Sequence, residues 1–382
     1  MSESTSRVFL YVQHLLGIGH LMRATRIASA LLENGFEITL VTGGMPVEGL
    51  NTAGMDHVVL PPIGVSNGDF SQLLDAQGEL VTDQYRDQRC QQLLDAYYRS
   101  KADIVILEAF PFGRRQVRFE LLPLIDAVEA SRPRPLLLSS IRDVLQRRSK
   151  PGRDEQTVQL VKQHFDKVLV HGDSSLITLD QSFPYAKQMV DKIIYTGLVC
   201  GSRPVEPSQQ FDIVVSAGGG AVGGVLVNTA IDASVLLPDF YSWCVITGPN
   251  LSIDEFDSIS KKAPGNVTVE RFRSDFSSLL TVARLSISQA GYNTVNDVLQ
   301  ARCRSILVPY SAQGETEQAD RAALLQKLEL ASVINSDSIG AVEFSKVVRS
   351  VLAQDPPPEL DSIETQGAQN TAIILQNLLR ER

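Results

Sequence analysis

Residues 211–230, FDIVVSAGGGAVGGVLVNTA, set a short β-branched run directly before a glycine-rich turn and an apolar, helix-forming segment. Strand, tight turn and helix in that order are the first half of a βαβ unit, the building block of parallel sheets. Outward from this stretch the same alternation continues in both directions. Toward the C-terminus it predicts strands at 211–216, 242–247, 266–270, 285–288, 304–308 and 331–334. Toward the N-terminus it predicts strands at 7–13, 37–42, 103–107, 135–140, 167–171 and 193–196, with a helix over 20–33 that stops at Asn34-Gly35. Between the two series, GLVCGSRPVEPSQQ (197–210) is rich in Gly and Pro and poor in apolar residues, so it reads as a linker.

The expected fold class is therefore α/β, with two Rossmann-like domains whose strand C-terminal ends bind ligands across a cleft. The domains are placed at 1–198 and 211–362, joined by 199–210. After Asp355-Pro-Pro-Pro358, which must stop a helix, a last helix is predicted from 363, with Ile373, Ile374, Leu375, Leu378 and Leu379 as its apolar stripe.

The chain of 382 residues is 43% hydrophobic and 21% charged, which suits two or three globular domains and excludes a disordered or low-complexity chain. No stretch is apolar enough for a transmembrane helix and the N-terminus carries no signal-like run, so the expected location is cytoplasmic. Four scattered cysteines without a CxxC pair argue against a disulfide framework or a zinc site. A net charge of -9 makes nucleic-acid binding a poor expectation, yet residues 114–153 carry 10 basic against 4 acidic side chains. Such a concentration, if not consumed by internal pairs, suits an anionic ligand or the inner face of an anionic membrane, where the protein would be peripheral.

Three motifs lie just after strands. Gly17-Ile-Gly19-His20-Leu-Met-Arg23 can bring backbone N–H groups to an anionic ligand and puts an imidazole at a helix mouth, where it can act as a general base or merely cap the turn. Ser216-Ala-Gly218-Gly219-Gly220-Ala-Val-Gly-Gly224 lacks the Lys-Ser/Thr of a P-loop, but its glycines and following helix favour phosphate contact. The third is a set: Arg271-Phe272-Arg-Ser-Asp275-Phe276, then Gly291-Tyr-Asn-Thr294-Val-Asn-Asp297, then Val308-Pro309-Tyr310 with Glu317-Gln318. Each cluster opens a helix at the sheet edge that carries the glycine loop, which makes a nucleotide site plausible. A fourth segment, Glu108-Ala-Phe-Pro-Phe-Gly-Arg114-Arg115, closes a strand, and Arg142-Asp143 closes the next. Both would line the cleft at the strand C-terminal ends, although Glu108 and Arg114 could equally form a buried ion pair that fixes the loop.

Taken in order, this set of motifs resembles family 28 of the glycosyltransferases over nearly the whole chain. The resemblance implies the GT-B fold, with the C-terminal helix crossing back onto the N-terminal domain. It also implies an inverting, metal-independent hexosyltransferase with no cofactor. A nucleotide-sugar donor, expected to be a UDP-sugar, would occupy the C-terminal domain, and a hydroxyl acceptor the N-terminal one. Carried over by position, donor binding falls on Gly218, Gly219, Gly220, Phe272, Gly291, Thr294, Asp297, Glu317 and Gln318. The family's ribose contact, normally Glu, is Asp297, and its paired Gln is Glu317-Gln318. Acceptor or phosphate contacts fall on Gly17, Gly19, Arg23, Arg114, Arg115 and Arg142, and the base on His20, Glu108 or Asp143. The EAFPFGRR segment departs from the family pattern and marks a separate branch of predicted glycosyltransferases. The alternatives on the same fold are a sugar-nucleotide epimerase or hydrolase, and a nucleotide-sugar-binding protein without turnover.

Overall fold

Runs such as Phe9–Val12 and Val105–Leu107 are buried on both faces, which only a parallel sheet covered by helices on each side can do. The computed structural model describes residues 5–15, 17–47, 49–65, 72–147, 151–201, 206–218, 223–248, 251–310, 315–334, 340–358 and 363–382. Two compact units result, one of Met1–Val199 with Ser362–Arg382 and one of Cys200–Asp361.

The first unit is built on strands β1 (Arg7–Val12), β2 (Glu37–Thr42), β3 (Asp56–Val59), β4 (Ile104–Glu108), β5 (Leu136–Arg142), β6 (Lys167–His171) and β7 (Ile193–Tyr195). All pairings are parallel and the order is β3-β2-β1-β4-β5-β6-β7. Helices α1 (Gly19–Glu33), α2 (Asp83–Ser100), α3 (Arg118–Ala130) and α4 (Arg153–His164) cover the sheet. Strand β3 lies outside the sequence expectation: DHVV is an edge strand with a half-buried to exposed pattern, so it lacks the apolar run that marks its neighbours. The chain moves from β1 out to β3, then returns to lay β4 beside β1 and continues the other way. The turns after β1 and β4 therefore open apart at this reversal, the place where such sheets take ligands.

The second unit repeats the plan with β8 (Ile213–Ser216), β9 (Trp243–Ile246), β10 (Val267–Glu270), β11 (Leu285–Ser288), β12 (Ser305–Leu307) and β13 (Ser332–Val333), in the order β10-β9-β8-β11-β12-β13. Its helices are α5 (Gly224–Ser234), α6 (Ile253–Lys262), α7 (Phe276–Val282), α8 (Tyr292–Ala301), α9 (Glu317–Lys327) and α10 (Ala341–Leu352). The reversal here falls between β8 and β11. The segment read as a linker is partly claimed by this unit: Gly201 N–H donates to Asp297 Oδ1 at 2.9 Å and Cys200 Sγ donates to Asn296 O at 3.5 Å.

Helix α11 (Gly367–Arg380) belongs to the first unit and packs against α1. Its buried side is Ala368, Thr371, Ala372 and Leu375, at helical spacing. Ile373 was expected in the apolar stripe but is 51% exposed, because it sits about 100° around the helix from Ala372. The helix can start where it does because two glycine backbones cross: a Cβ on Gly367 would run into the carbonyl of Gly197, whose own φ is +91°. Leu198 N–H donates to Glu364 O at 2.7 Å and Gly367 N–H to Leu198 O at 3.0 Å, which stitches the chain end to the strand exit.

Candidate functional site

In the first unit the reversal between β1 and β4 brings the start of α1 against the end of β4. Glu108 is the last residue of β4 and is fully buried. Its Oε1 lies 2.9 Å from His20 Nδ1 and accepts from Arg23 Nη2, one turn further along α1. Its Oε2 accepts from Ser140 Oγ at 2.5 Å, and Ser140 is its registered neighbour on β5. Three donors converge on one buried carboxylate. The cation in direct contact with Glu108 is Arg23 and not Arg114, the partner weighed from the sequence.

The surroundings of His20 are cationic. Burial first, then Arg114, Arg142, Arg23 and His14, push its pKa well below the usual imidazole value. A neutral ring facing a carboxylate through Nδ1 carries its proton there, so Nε2 keeps a free lone pair. The His20 side chain is 16% exposed.

The other residues expected on the acceptor side spread around this pair. Gly17 lies just before α1 and Gly19 opens it, and a Cβ built at Gly17 would meet no protein atom within 4 Å. Arg114 takes a left-handed conformation (φ 59°) and donates from Nε to Gln13 O at 2.5 Å. Burial and the facing Arg142 lower its pKa to about 10. Arg115 reaches α4 instead, with 2.8 Å bonds to Gln156 Oε1 and Arg153 O. Arg142 ends β5, and Asp143 next to it is buried, accepts from Val144 N–H at 2.8 Å and packs on Gly172 of the turn after β6. Of the three candidate bases, the structure thus joins His20 to Glu108 and turns Asp143 toward β6.

Sequence reading missed what stands behind this site. Ser140 Oγ also meets His171 Nε2 at 2.9 Å, and His171 Nδ1 meets Thr196 Oγ1 at 2.9 Å, all buried. A second buried network holds the turn after β1: Arg89 donates to both oxygens of Glu120 at 2.7 and 2.8 Å and to Gln13 Oε1 at 2.7 Å, while Tyr11 Oη donates to Glu120 Oε1 at 2.5 Å. The only sequence signal for either was a polar residue inside an otherwise apolar strand or helix face.

In the second unit the reversal places the turn after β8 beside the turn after β11. Gly218 has a φ of +72°, and a Cβ on Gly248 (φ +84°) would collide with the Gly218 carbonyl, so part of the glycine content serves the turn itself. Gly219 and Gly220 lie outside the described residues. Ser288, buried at the end of β11, leaves its Oγ without a hydrogen-bond partner among the described residues. Gly291 caps α8 with open space where a Cβ would be, Thr294 is half-buried one turn on, and Phe272 is 52% exposed.

Three of the expected donor contacts have partners within the protein. Asp297 is buried, and its Oδ1 accepts from the Gly201 N–H at 2.9 Å. Glu317 is buried in an ion pair with Arg321 at 3.0 Å, and Arg321 also donates to Ala290 O. Gln318 Oε1 accepts from Tyr310 N–H at 3.1 Å. Among the described residues no group of three or more His, Cys, Asp or Glu side chains could hold a metal ion, and no helix is long and apolar enough to cross a membrane.

Residues 213–374 match the glycosyltransferase family 28 C-terminal domain. Among curated relatives, the UDP-N-acetylglucosamine--N-acetylmuramyl-(pentapeptide) pyrophosphoryl-undecaprenol N-acetylglucosamine transferase of Agrobacterium fabrum is 29% identical over 185 residues, 45% of this chain and 48% of its own. The protein of the same name from Thermotoga neapolitana is 20% identical over 205 residues, 54% of this chain and 57% of its own. The chain spans between about a quarter and a half of the length of the first such relatives. Among solved structures, Acinetobacter baumannii MurG aligns with a TM-score of 0.59 at 14% identity, covering 97% of this chain and 99% of that one. The calicheamicin glycosyltransferase CalG4 aligns with a TM-score of 0.60 at 16% identity, covering 99% and 97%. At these identities the structural likeness is one of fold. The chain accordingly has the GT-B fold, and its residues 213–374 match the family 28 glycosyltransferase C-terminal domain.

Proposed function

We propose that this protein is an inverting glycosyltransferase that uses the His20–Glu108 pair to activate an acceptor hydroxyl. The observation that carries the reading is the buried Glu108 carboxylate on His20 Nδ1, which leaves Nε2 as the neutral, basic nitrogen of a partly exposed side chain. The family 28 domain supports a nucleotide-sugar donor on the second unit, and the relatives' printed names favour a UDP-sugar.

His20 Nε2 takes the proton of the acceptor hydroxyl as its oxygen bonds to the anomeric carbon. The bond from that carbon to the donor's diphosphate breaks on the opposite face, so configuration inverts and the nucleoside diphosphate leaves with the electron pair. Glu108 stabilises the imidazolium that forms, as the carboxylate partner of a base does in other acid–base pairs. The leaving diphosphate is met by backbone N–H groups at the N-terminus of α5 (Gly224–Ser234) and by its helix dipole rather than by a metal ion. Gly218, Gly291, Thr294 and Phe272 are the proposed donor contacts. Glu317 and Gln318 reach the sugar only if donor binding draws them from their present partners. The acceptor is a hydroxyl compound, and Arg114 and Arg142 near the base suit one that carries an anionic group or sits at a membrane surface.

A panel of nucleotide sugars, screened by thermal shift and then by release of nucleoside diphosphate with and without candidate acceptors, tests the reading. Acceptor-dependent release that survives EDTA supports it. Isomerised sugar, release that needs no acceptor, or strict dependence on Mg²⁺ or Mn²⁺ overturns it.

A further inference from the structure

Behind the base lies a line of buried polar groups that the activation of a hydroxyl does not itself require. Ser140 sits on β5 in register with Glu108, and His171 on β6 lies on the same face, two residues beyond the registered neighbour of Ser140. Thr196 follows β7. None of Glu108, Ser140, His171 or Thr196 is more than marginally accessible, and they connect through contacts of 2.5, 2.9 and 2.9 Å.

Counting protons fixes the direction of every bond. Glu108 has only acceptors to offer as a carboxylate, so the single Ser140 hydroxyl proton goes to Oε2. Ser140 Oγ can then only accept, and His171 must present Nε2–H to it. Burial, with Arg23 nearby, keeps His171 neutral, so its Nδ1 is a bare acceptor. Thr196 Oγ1 supplies the proton at 2.9 Å in preference to its alternative acceptor, Gly197 O, at 3.1 Å. The donors thus run one way, Thr196 to His171 to Ser140 to Glu108.

We propose that Ser140, His171 and Thr196 are positioning residues that lock the rotation of the Glu108 carboxylate and thereby hold His20 in the Nδ1–H tautomer with Nε2 free. The inference rests on the reading of His20 as the base. A carboxylate fixed at Oε2 cannot swing its other oxygen away from His20, and a wrong tautomer would put the proton on the nitrogen that has to accept one. This line is also why two polar side chains are tolerated in the sheet interior, where each would be costly without a partner.

The test reads the ring nitrogens directly, through long-range proton–nitrogen NMR correlations of the labelled full-length protein, with His20 and His171 assigned by substitution. In the parent, His20 should carry its proton on Nδ1 and His171 on Nε2. Finding His171 cationic or protonated on Nδ1 would overturn the proposal without any variant. Ser140→Ala and His171→Met should each convert His20 into a tautomer mixture. They should also raise its titration, because Glu108 loses its donor in Ser140→Ala and in His171→Met is left with a Ser140 hydroxyl that nothing orients, so that it becomes the stronger acceptor, while Arg23, Arg114, Arg142 and His14 still face the ring. In kinetics kcat should fall at least about tenfold with KM for donor unchanged, and the acid limb of kcat/KM should move to higher pH. His171→Gln, whose amide N–H can replace Nε2–H, should restore both readouts. An unchanged His20 tautomer and titration in folded Ser140→Ala and His171→Met would sink the idea. Absence of sugar transfer by the parent would count against the functional reading alone, since the NMR measurement needs no substrate.

Discussion

Glu108 Oε1 stands 2.9 Å from His20 Nδ1 although 88 residues separate them in the chain, and the topology alone accounts for the meeting. His20 begins the helix after β1, Glu108 ends β4, and β1 and β4 are adjacent because the sheet reverses its order there. The pair is held from both sides, by Arg23 on α1 and Ser140 on β5, so its geometry is set before any substrate arrives.

His20→Ala should therefore leave the fold intact and lower kcat by about 10²- to 10⁴-fold, the usual contribution of a positioned base, with donor affinity unchanged. Glu108→Gln should lose activity and stability together, because Arg23 would stay buried against a neutral amide. Breaking a buried pair of this kind costs about 3–5 kcal/mol. Steady-state kinetics and urea unfolding of both variants distinguish the two effects. Full activity in a folded His20→Ala protein would exclude it as the base.

The pH dependence of stability has a contribution from four histidines, His14, His20, His57 and His171, whose pKa values all lie below the ordinary 6.5, chiefly through burial. Above that pH neither folded nor unfolded chain protonates them and they contribute no slope. As pH falls below it, the unfolded chain takes up protons that the folded chain refuses, so stability declines until the depressed values are reached. Each histidine contributes at most about 1.4 kcal/mol per pH unit in that window. Urea midpoints should drop between about pH 7 and about pH 5.5, and by less in His171→Gln. A midpoint that rises on acidification would contradict the assignment of these rings as neutral.

Much of the fold was legible because its strands are covered on both faces and so appear as uninterrupted apolar runs, Phe9–Val12 and Ile213–Val215 among them. The edge strand Asp56–Val59 escaped because nothing covers it fully. His20 and Glu108 were legible singly, each as a polar residue at a strand-to-helix junction. Their partnership was not, since it depends on which strands become neighbours. Ser140, His171, Arg89 and Glu120 were invisible for the same reason: only the register of β4, β5 and β6, or the packing of α2 on α3, makes them meet. The bond from the Gly201 N–H to Asp297 Oδ1 was equally illegible, since it joins residues 96 apart in the chain.

The Arg89–Glu120 pair offers a test of whether such networks stabilise or specify. Both side chains are fully buried, and together they hold Gln13, Tyr11 and the Gly43 carbonyl. Arg89→Met alone should cost about 3–5 kcal/mol, because Glu120 would be left charged in an apolar interior. Arg89→Met with Glu120→Leu should recover most of that loss, although Gln13 would no longer be held below the turn into α1. A double-mutant cycle in urea gives the coupling directly. Additive losses would mean that the pair is no more than two independent packing contacts.

The donor loop makes the last prediction. Gly248 combines a φ of +84° with a Cβ position that would strike the carbonyl of Gly218, whose own φ is +72°. Gly248→Ala thus costs about 1–2 kcal/mol for the left-handed backbone before any clash is counted, and the clash pushes on the turn after β8. If that turn holds the donor's diphosphate, nucleotide affinity should fall by tenfold or more, equivalent to about 1.4 kcal/mol, measured by calorimetry on folded protein. Gly265→Ala is the control in the same unit, since a Cβ there meets nothing within 4 Å, and it should bind as the parent does. His20→Ala, in the other unit, should also bind as the parent does. Parental affinity in a folded Gly248→Ala variant would take the Gly218 turn out of the donor site and leave its glycines as requirements of the turn alone.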